Sequence, residues 1–204
     1  EGKYIKQDIN KAINYLTLAS NQNNSDAQCN LGIIYYNGKN IQHNINKAIN
    51  YFTLSANQND PTAQYNLGII YYEGIHIKRD VDKAIHYLSL AANQNNLDAQ
   101  YNLGRIYYEG KYITPDINKA IHYFMIVAKH NEPIPLYNLG IIYYEGKYVE
   151  RDINKAIYYF SLASNLNYQM AQIFLGNIYY DSKYIARDID KVIHYFTLAA
   201  NQNN

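Results

Sequence analysis

Residues 60–95 read DPTAQYNLGIIYYEGIHIKRDVDKAIHYLSLAANQN, and the periodicity of this stretch decides the fold. Ala63, Leu67, Ile70 and Tyr71 recur at i, i+4, i+7 and i+8, one apolar stripe of an α-helix, helix A. Asp60-Pro61 supplies its start, a capping side chain followed by a proline in the first turn, and Gly74 ends it. Asp80 then caps a second helix, helix B, whose stripe is Val81, Ala84, Ile85, Leu88 and Ala91. Asn95 follows it, a residue type that tolerates the left-handed conformation a helix end needs.

Outward from this stretch the same unit recurs. Leu-Gly pairs stand at Leu31-Gly32, Leu67-Gly68, Leu103-Gly104, Leu139-Gly140 and Leu175-Gly176, a step of 36 residues with no insertion or deletion. Lys11, Lys47, Lys83, Lys119, Lys155 and Lys191 keep that step, as do Asp8, Asn44, Asp80, Asp116, Asp152 and Asp188. A single helical hairpin cannot bury both of its stripes, so neighbouring units must stack and share a core. The pattern predicts an all-α protein, a right-handed α/α superhelical solenoid of 36-residue helix-turn-helix repeats. Residues 1–204 form one array: helix B of a first repeat, then five A/B repeats. The start, Glu1-Gly2-Lys3-Tyr4, has neither an initiator Met nor the regions of a signal peptide, so the chain is expected to be a fragment of a longer protein.

Composition narrows the function classes. Lys plus Arg is 18 and Asp plus Glu is 17, giving a net charge of +1 with no dense basic run, so nucleic acid is not the expected partner. Apolar residues come in short clusters rather than in a span of about 20, so no membrane-crossing helix is expected. Cys29 stands alone, which removes any internal disulfide and fits a cytoplasmic location. One glycosylation sequon, Asn23-Asn24-Ser25, is present.

Catalysis needs a unique constellation, whereas almost every polar residue here recurs once per repeat; the chain is read as a non-enzyme without cofactor or metal. His86, His122 and His194 sit on helix B of different repeats, at least about 10 Å apart, while one Zn²⁺ needs each ligand nitrogen at about 2 Å. They are read as surface side chains. Cys29 occupies the slot of Tyr65, Tyr101 and Tyr137 and is read as an ordinary repeat residue rather than a nucleophile.

Ala99, Leu103, Gly104, Tyr107, Gly110, Asp116, Lys119 and Ala120 together resemble the Sel-1-like repeats, relatives of the tetratricopeptide repeats, over essentially the whole chain. There are departures: a second loop glycine expected in that family is Tyr4, Asn40, His76, Tyr112, Tyr148 or Tyr184, and the glycine after helix B is Asn in every unit. Ser182 replaces the remaining loop glycine of repeat five, and Pro135 replaces the first Ala of a helix A. The resemblance implies an adaptor or scaffold that binds a peptide or protein on the concave face lined by A helices. The alternative it allows is a structural or regulatory spacer array within a larger signalling protein such as a kinase.

On helix A, Tyr35, Tyr71, Tyr107, Tyr143 and Tyr179 fall on the core stripe, while Tyr36, Tyr72, Tyr108, Tyr144 and Tyr180 fall about 100° further round, where they can meet a ligand. Opposite the core stripe lie Tyr65, Ile69, Tyr72 and Glu73, then Tyr101, Arg105, Tyr108 and Glu109, then Tyr137, Ile141, Tyr144 and Glu145. Beside them run Asn30, Asn66, Asn102 and Asn138, whose amides can pair with an extended peptide or, alternatively, with the backbone of the neighbouring repeat. Related repeats that clamp a carboxylate use Lys and Arg on this surface. Here Arg105 is the one basic residue among these positions, and Glu73, Glu109, Glu145 and Asp181 form an acidic row, which favours a partner with basic and apolar side chains. Leu18, Leu54, Leu90, Ile126, Leu162 and Leu198 form an apolar row on helix B; exposed, it would support self-association, and rotated inward it would be core.

Overall fold

A helix leaves its first N–H groups without partners, and this chain meets that demand with the same short side chain at nearly every helix start. Asn24, Asn44, Asp60, Asp80, Asp116, Asp152 and Asp188 each accept a bond from the backbone N–H three residues on. The computed structural model describes residues 9–38, 41–181 and 183–203. Among the described residues run eleven α-helices and no strand: α1 (Ile9–Asn21), α2 (Ser25–Asn37), α3 (Ile45–Ala56), α4 (Pro61–Glu73), α5 (Val81–Asn93), α6 (Leu97–Glu109), α7 (Ile117–Ala128), α8 (Pro133–Glu145), α9 (Ile153–Asn165), α10 (Gln169–Asp181) and α11 (Ile189–Ala200), closed by a 3₁₀ turn, Asn201–Asn203. Odd-numbered helices are the B helices and even-numbered the A helices. Asp8, Asn40 and Ser182 lie outside the described residues, as does the N-terminal tetrapeptide.

The turns follow from residue type. Gly38, Gly74, Gly110 and Gly146 end A helices at φ between 57° and 63°, and Asn23, Asn59, Asn95, Asn131 and Asn167 take the same left-handed region after B helices. Asparagine therefore does what glycine does in the family pattern, at the small steric cost its short polar side chain allows. Each loop from A to B is closed by the cap residue's own N–H, as where Asp80 N donates to Tyr71 O at 3.0 Å. Pro133 and Pro135 fall at the first and third positions of α8, where the N–H they lack has no partner within the helix.

The chain divides into two compact units, one up to Leu103 and one from Gly104, the division falling within α6. In the first unit α2 packs on α3, α3 on α4 and α4 on α5; in the second α8 packs on α9, α9 on α10 and α10 on α11. Ala48, Phe52, Ala63 and Leu67 centre one core, and Ala156, Phe160, Ala171 and Leu175 the other, all fully buried. The glycine of each Leu-Gly pair sits where the next B helix presses closest. A Cβ on Gly68 would lie 2.6 Å from Leu88 Cγ, and one on Gly140 2.5 Å from the Phe160 ring. The helix B leucine row is not uniformly exposed: Leu18 is 58% and Leu54 41% exposed, whereas Leu90, Ile126, Leu162 and Leu198 are half-buried. Leu162 packs on the second core, because helix B turns this position toward its neighbour.

Candidate functional site

The two tyrosines of each Tyr-Tyr pair have different work. The first stacks on a helix B tyrosine of its own repeat with nearly parallel rings: Tyr35 on Tyr51, Tyr71 on Tyr87, Tyr107 on Tyr123, Tyr143 on Tyr159 and Tyr179 on Tyr195, at centroid separations of 5.8–6.2 Å. The repeat lysine covers that first ring, Lys191 Nζ lying 4.5 Å from the Tyr179 centroid and Lys119 Nζ 4.8 Å from that of Tyr107. The same lysines reach the cap aspartate, 3.2 Å from Lys191 Nζ to Asp188 and 3.4 Å from Lys119 Nζ to Asp116. Backbone N–H bonds, those from Lys119 and Lys191 first, hold the Asp116 and Asp188 carboxyls below the usual carboxylate range. The recurring lysine is thus a fastener within each hairpin.

The second tyrosine reaches into the next repeat. Tyr36 donates its hydroxyl to Glu73 Oε2 at 3.4 Å in the first unit, and Tyr108 donates to Glu145 Oε2 at 2.8 Å in the second. Burial, followed by the Glu145 carboxylate, pushes the Tyr108 phenol well above its ordinary range. Arg105 bonds Glu109 on its own helix at 2.9 Å, so the one basic side chain among the expected positions is already neutralised. Glu73, Glu109, Glu145 and Asp181 are all exposed.

The remaining expected positions divide by environment. Tyr65, Ile69, Tyr72, Tyr101, Ile141 and Tyr144 are half-buried, and Asn30 is exposed. Tyr137 packs against Phe160, Tyr168 and Phe174, with centroids 5.3–5.7 Å apart, and Tyr144 stands edge-on to Phe174 at 5.8 Å. The asparagine amides turn to their own helix: Asn66 Nδ2 donates to Thr62 O and Asn102 Nδ2 to Asp98 O, each at 2.8 Å. Burial above all raises the Tyr65 phenol's pKa. Asn138 is half-buried on the same row. Phe174 takes the fifth place in that row, which is why the aromatic cluster forms in the second unit.

A glutamine ladder escaped the sequence reading. Gln28, Gln64 and Gln172 are buried, and each accepts from a glutamine 30 residues on: Gln58 at 2.7 Å, Gln94 at 2.8 Å and Gln202 at 2.8 Å. Their amides point back to the end of the preceding helix, as Gln64 Nε2 does to Ala56 O at 3.3 Å. The signal was in the sequence, because Leu136 and Leu166, also 30 apart, replace both partners of one pair together.

Other features lie away from this face. Open hollows of about 620 Å³ and 390 Å³ occur at the starts of α5 and α9, walled largely by charged side chains such as Arg79, Asp80, Lys83, Arg151, Asp152 and Lys155. Cys29 is buried, and its thiol is pushed up to about 12, by burial first and then by Asp60, so it stays protonated at neutral pH. His86, His122 and His194 are exposed, each edge-on to the tyrosine that follows it. No helix among the described residues is long and apolar enough to cross a membrane.

A family model described as Sel1 repeat matches residues 1–24, 25–60, 61–96, 97–124, 136–168 and 169–204. The chain belongs to the Sel1 repeat family. Among solved structures it is similar to a protective antigen of uropathogenic Escherichia coli with an SLR fold, at 26% identity and a TM-score of 0.87, covering 100% of this chain and 44% of that one. It thus spans less than half of the antigen's length. A Sel1 repeat protein of Oxalobacter formigenes aligns at 28% identity and TM-score 0.73, covering 89% of this chain and 74% of its own. An immunity protein of Pseudomonas aeruginosa shares the fold at 18% identity and TM-score 0.55, covering 98% of this chain and 76% of its own. No curated protein matches the sequence. Sel1 repeats generally serve protein–protein interaction.

Proposed function

We propose that this Sel1 array is a binding scaffold whose A-helix face takes a protein segment carrying basic and apolar side chains. The observation that carries this reading is the tyrosine–carboxylate pair, Tyr36 with Glu73 in one unit and Tyr108 with Glu145 in the other. Each hydroxyl fixes one carboxylate oxygen, and a carboxylate has lone pairs to spare for a Lys or Arg from a partner. Half-buried Ile69 and Ile141 offer apolar surface beside these pairs, and Arg105 brings no repulsion because Glu109 neutralises it. The asparagine row contributes its carbonyl oxygens, since the Asn66 and Asn102 amides are engaged by their own helices.

A random-peptide display selected on the full chain tests this. Selected peptides are expected to combine Lys or Arg with apolar residues and to lose at least tenfold in affinity against a Glu73→Lys, Glu145→Lys variant. Peptides without basic enrichment, or affinity that the variant leaves unchanged, would sink the reading.

A further inference from the structure

In the second unit one contact joins the A-to-B loops of consecutive repeats through a cation. Arg151 Nη1 donates to the Tyr184 hydroxyl at 2.9 Å, its guanidinium lies 5.0 Å from that ring's centroid, and its other nitrogens bond the carbonyls of Tyr144 and Glu145 at the end of α8. Three repeats earlier, the first unit holds His43 and His76 at the same two positions. Their rings lie side by side with centroids 4.5 Å apart and planes inclined by 46°, and both are exposed.

The geometry points to a two-imidazole site for a divalent transition-metal cation between the loops that carry His43 and His76. An imidazole nitrogen lies about 2.0–2.1 Å from such an ion, so two rings sharing one ion at a right angle have centroids roughly 4.5 Å apart. That angle belongs to square-planar and tetragonal ions, Ni²⁺ and Cu²⁺. The surroundings favour positive charge. The site adjoins the C-terminal end of α2, where backbone carbonyls point outward, and the Tyr36 ring, 6.2 Å from that of His43, sends its hydroxyl to the Glu73 carboxylate at the end of α4. The nearby cations on the second loop are Lys78 and Arg79, and Arg79 is turned onto the Tyr72 and Glu73 carbonyls. No third His, Cys, Asp or Glu joins a ligand group among the described residues, so water completes the shell. Where Arg151 and Tyr184 join consecutive loops through a cation built into the chain, the His43 and His76 pair takes one from solution.

Titration of the full chain with NiCl₂ by calorimetry tests the site, with a His43→Arg, His76→Tyr variant that installs the pair the second unit already carries. The wild type is expected to bind one Ni²⁺ at pH 7.5. The variant is expected to lose at least tenfold in affinity while keeping its helical circular dichroism and melting temperature. Equal affinity in the variant would place the ion on other histidines and overturn the proposal, as would the absence of saturable binding to the wild type at millimolar Ni²⁺.

Discussion

The Tyr108 hydroxyl donates to Glu145 Oε2 at 2.8 Å, tying two successive A helices across a sequence separation of 37 residues. A bond to a charged acceptor contributes about 1.5–3 kcal/mol when buried, and solvent around this pair brings that to about 1 kcal/mol. Tyr108→Phe is therefore expected to lower stability by about 1 kcal/mol in urea unfolding. Because the phenol's pKa is raised in the folded protein, its contribution is full below the ordinary tyrosine range and fades as pH climbs above about 10. The stability difference between wild type and Tyr108→Phe should shrink on that alkaline side; a difference independent of pH up to 11 would contradict it.

Gly140→Ala sets two effects against each other. Alanine gains about 0.5–1 kcal/mol in a helix interior, but its Cβ would lie 2.5 Å from the Phe160 ring, which is fully buried and has nowhere to go. Overpacking of this kind costs about 1–3 kcal/mol. Net destabilisation of about 1 kcal/mol, read by thermal melting, is expected; a more stable variant would show that the ring can move.

The glutamine ladder makes the cost of one substitution depend on its surroundings. Gln64→Leu removes the bonds Gln64 makes to the Ala56 carbonyl and the Gln94 amide and should cost about 1 kcal/mol, with part of the loss recovered in Gln64→Leu, Gln94→Leu, the pairing that Leu136 and Leu166 already adopt. Gln100 is also buried and its Nε2 donates to Ala92 O at 3.0 Å, but its Oε1 has no partner among the described residues, so Gln100→Leu should cost less than Gln64→Leu. Chemical denaturation of the three variants checks the pattern, and equal losses at positions 64 and 100 would refute it.

Cys29 should be unreactive in the folded chain. With its thiol raised to about 12 by burial and by Asp60, almost no thiolate is present at pH 8, and the residue is only 6% exposed. Labelling by a disulfide reagent should therefore follow unfolding as urea is added. Rapid labelling in native buffer would mean that the first A helix opens locally.

Much of this protein was legible in its sequence because each determinant is local. Helix boundaries follow from Asp60, Gly74, Asp80 and Asn95, whose caps and left-handed turns involve residues within a few positions of one another. The 36-residue step likewise fixes which stripe of each helix turns inward. What one helix does to the next was not legible, because it depends on rotation about the helix axis and on side-chain reach. Periodicity put Tyr108 and Asn66 on an outward face; the folded chain gives Tyr108 to Glu145 and the Asn66 amide to Thr62. It also left the helix B leucines undecided between core and surface, and packing exposed Leu54 while half-burying Leu90. A repeat states its own internal contacts once per unit, whereas a contact between repeats, such as that of Tyr36 to Glu73 or the adjacent rings of His43 and His76, exists only when two copies of the motif are brought side by side in space.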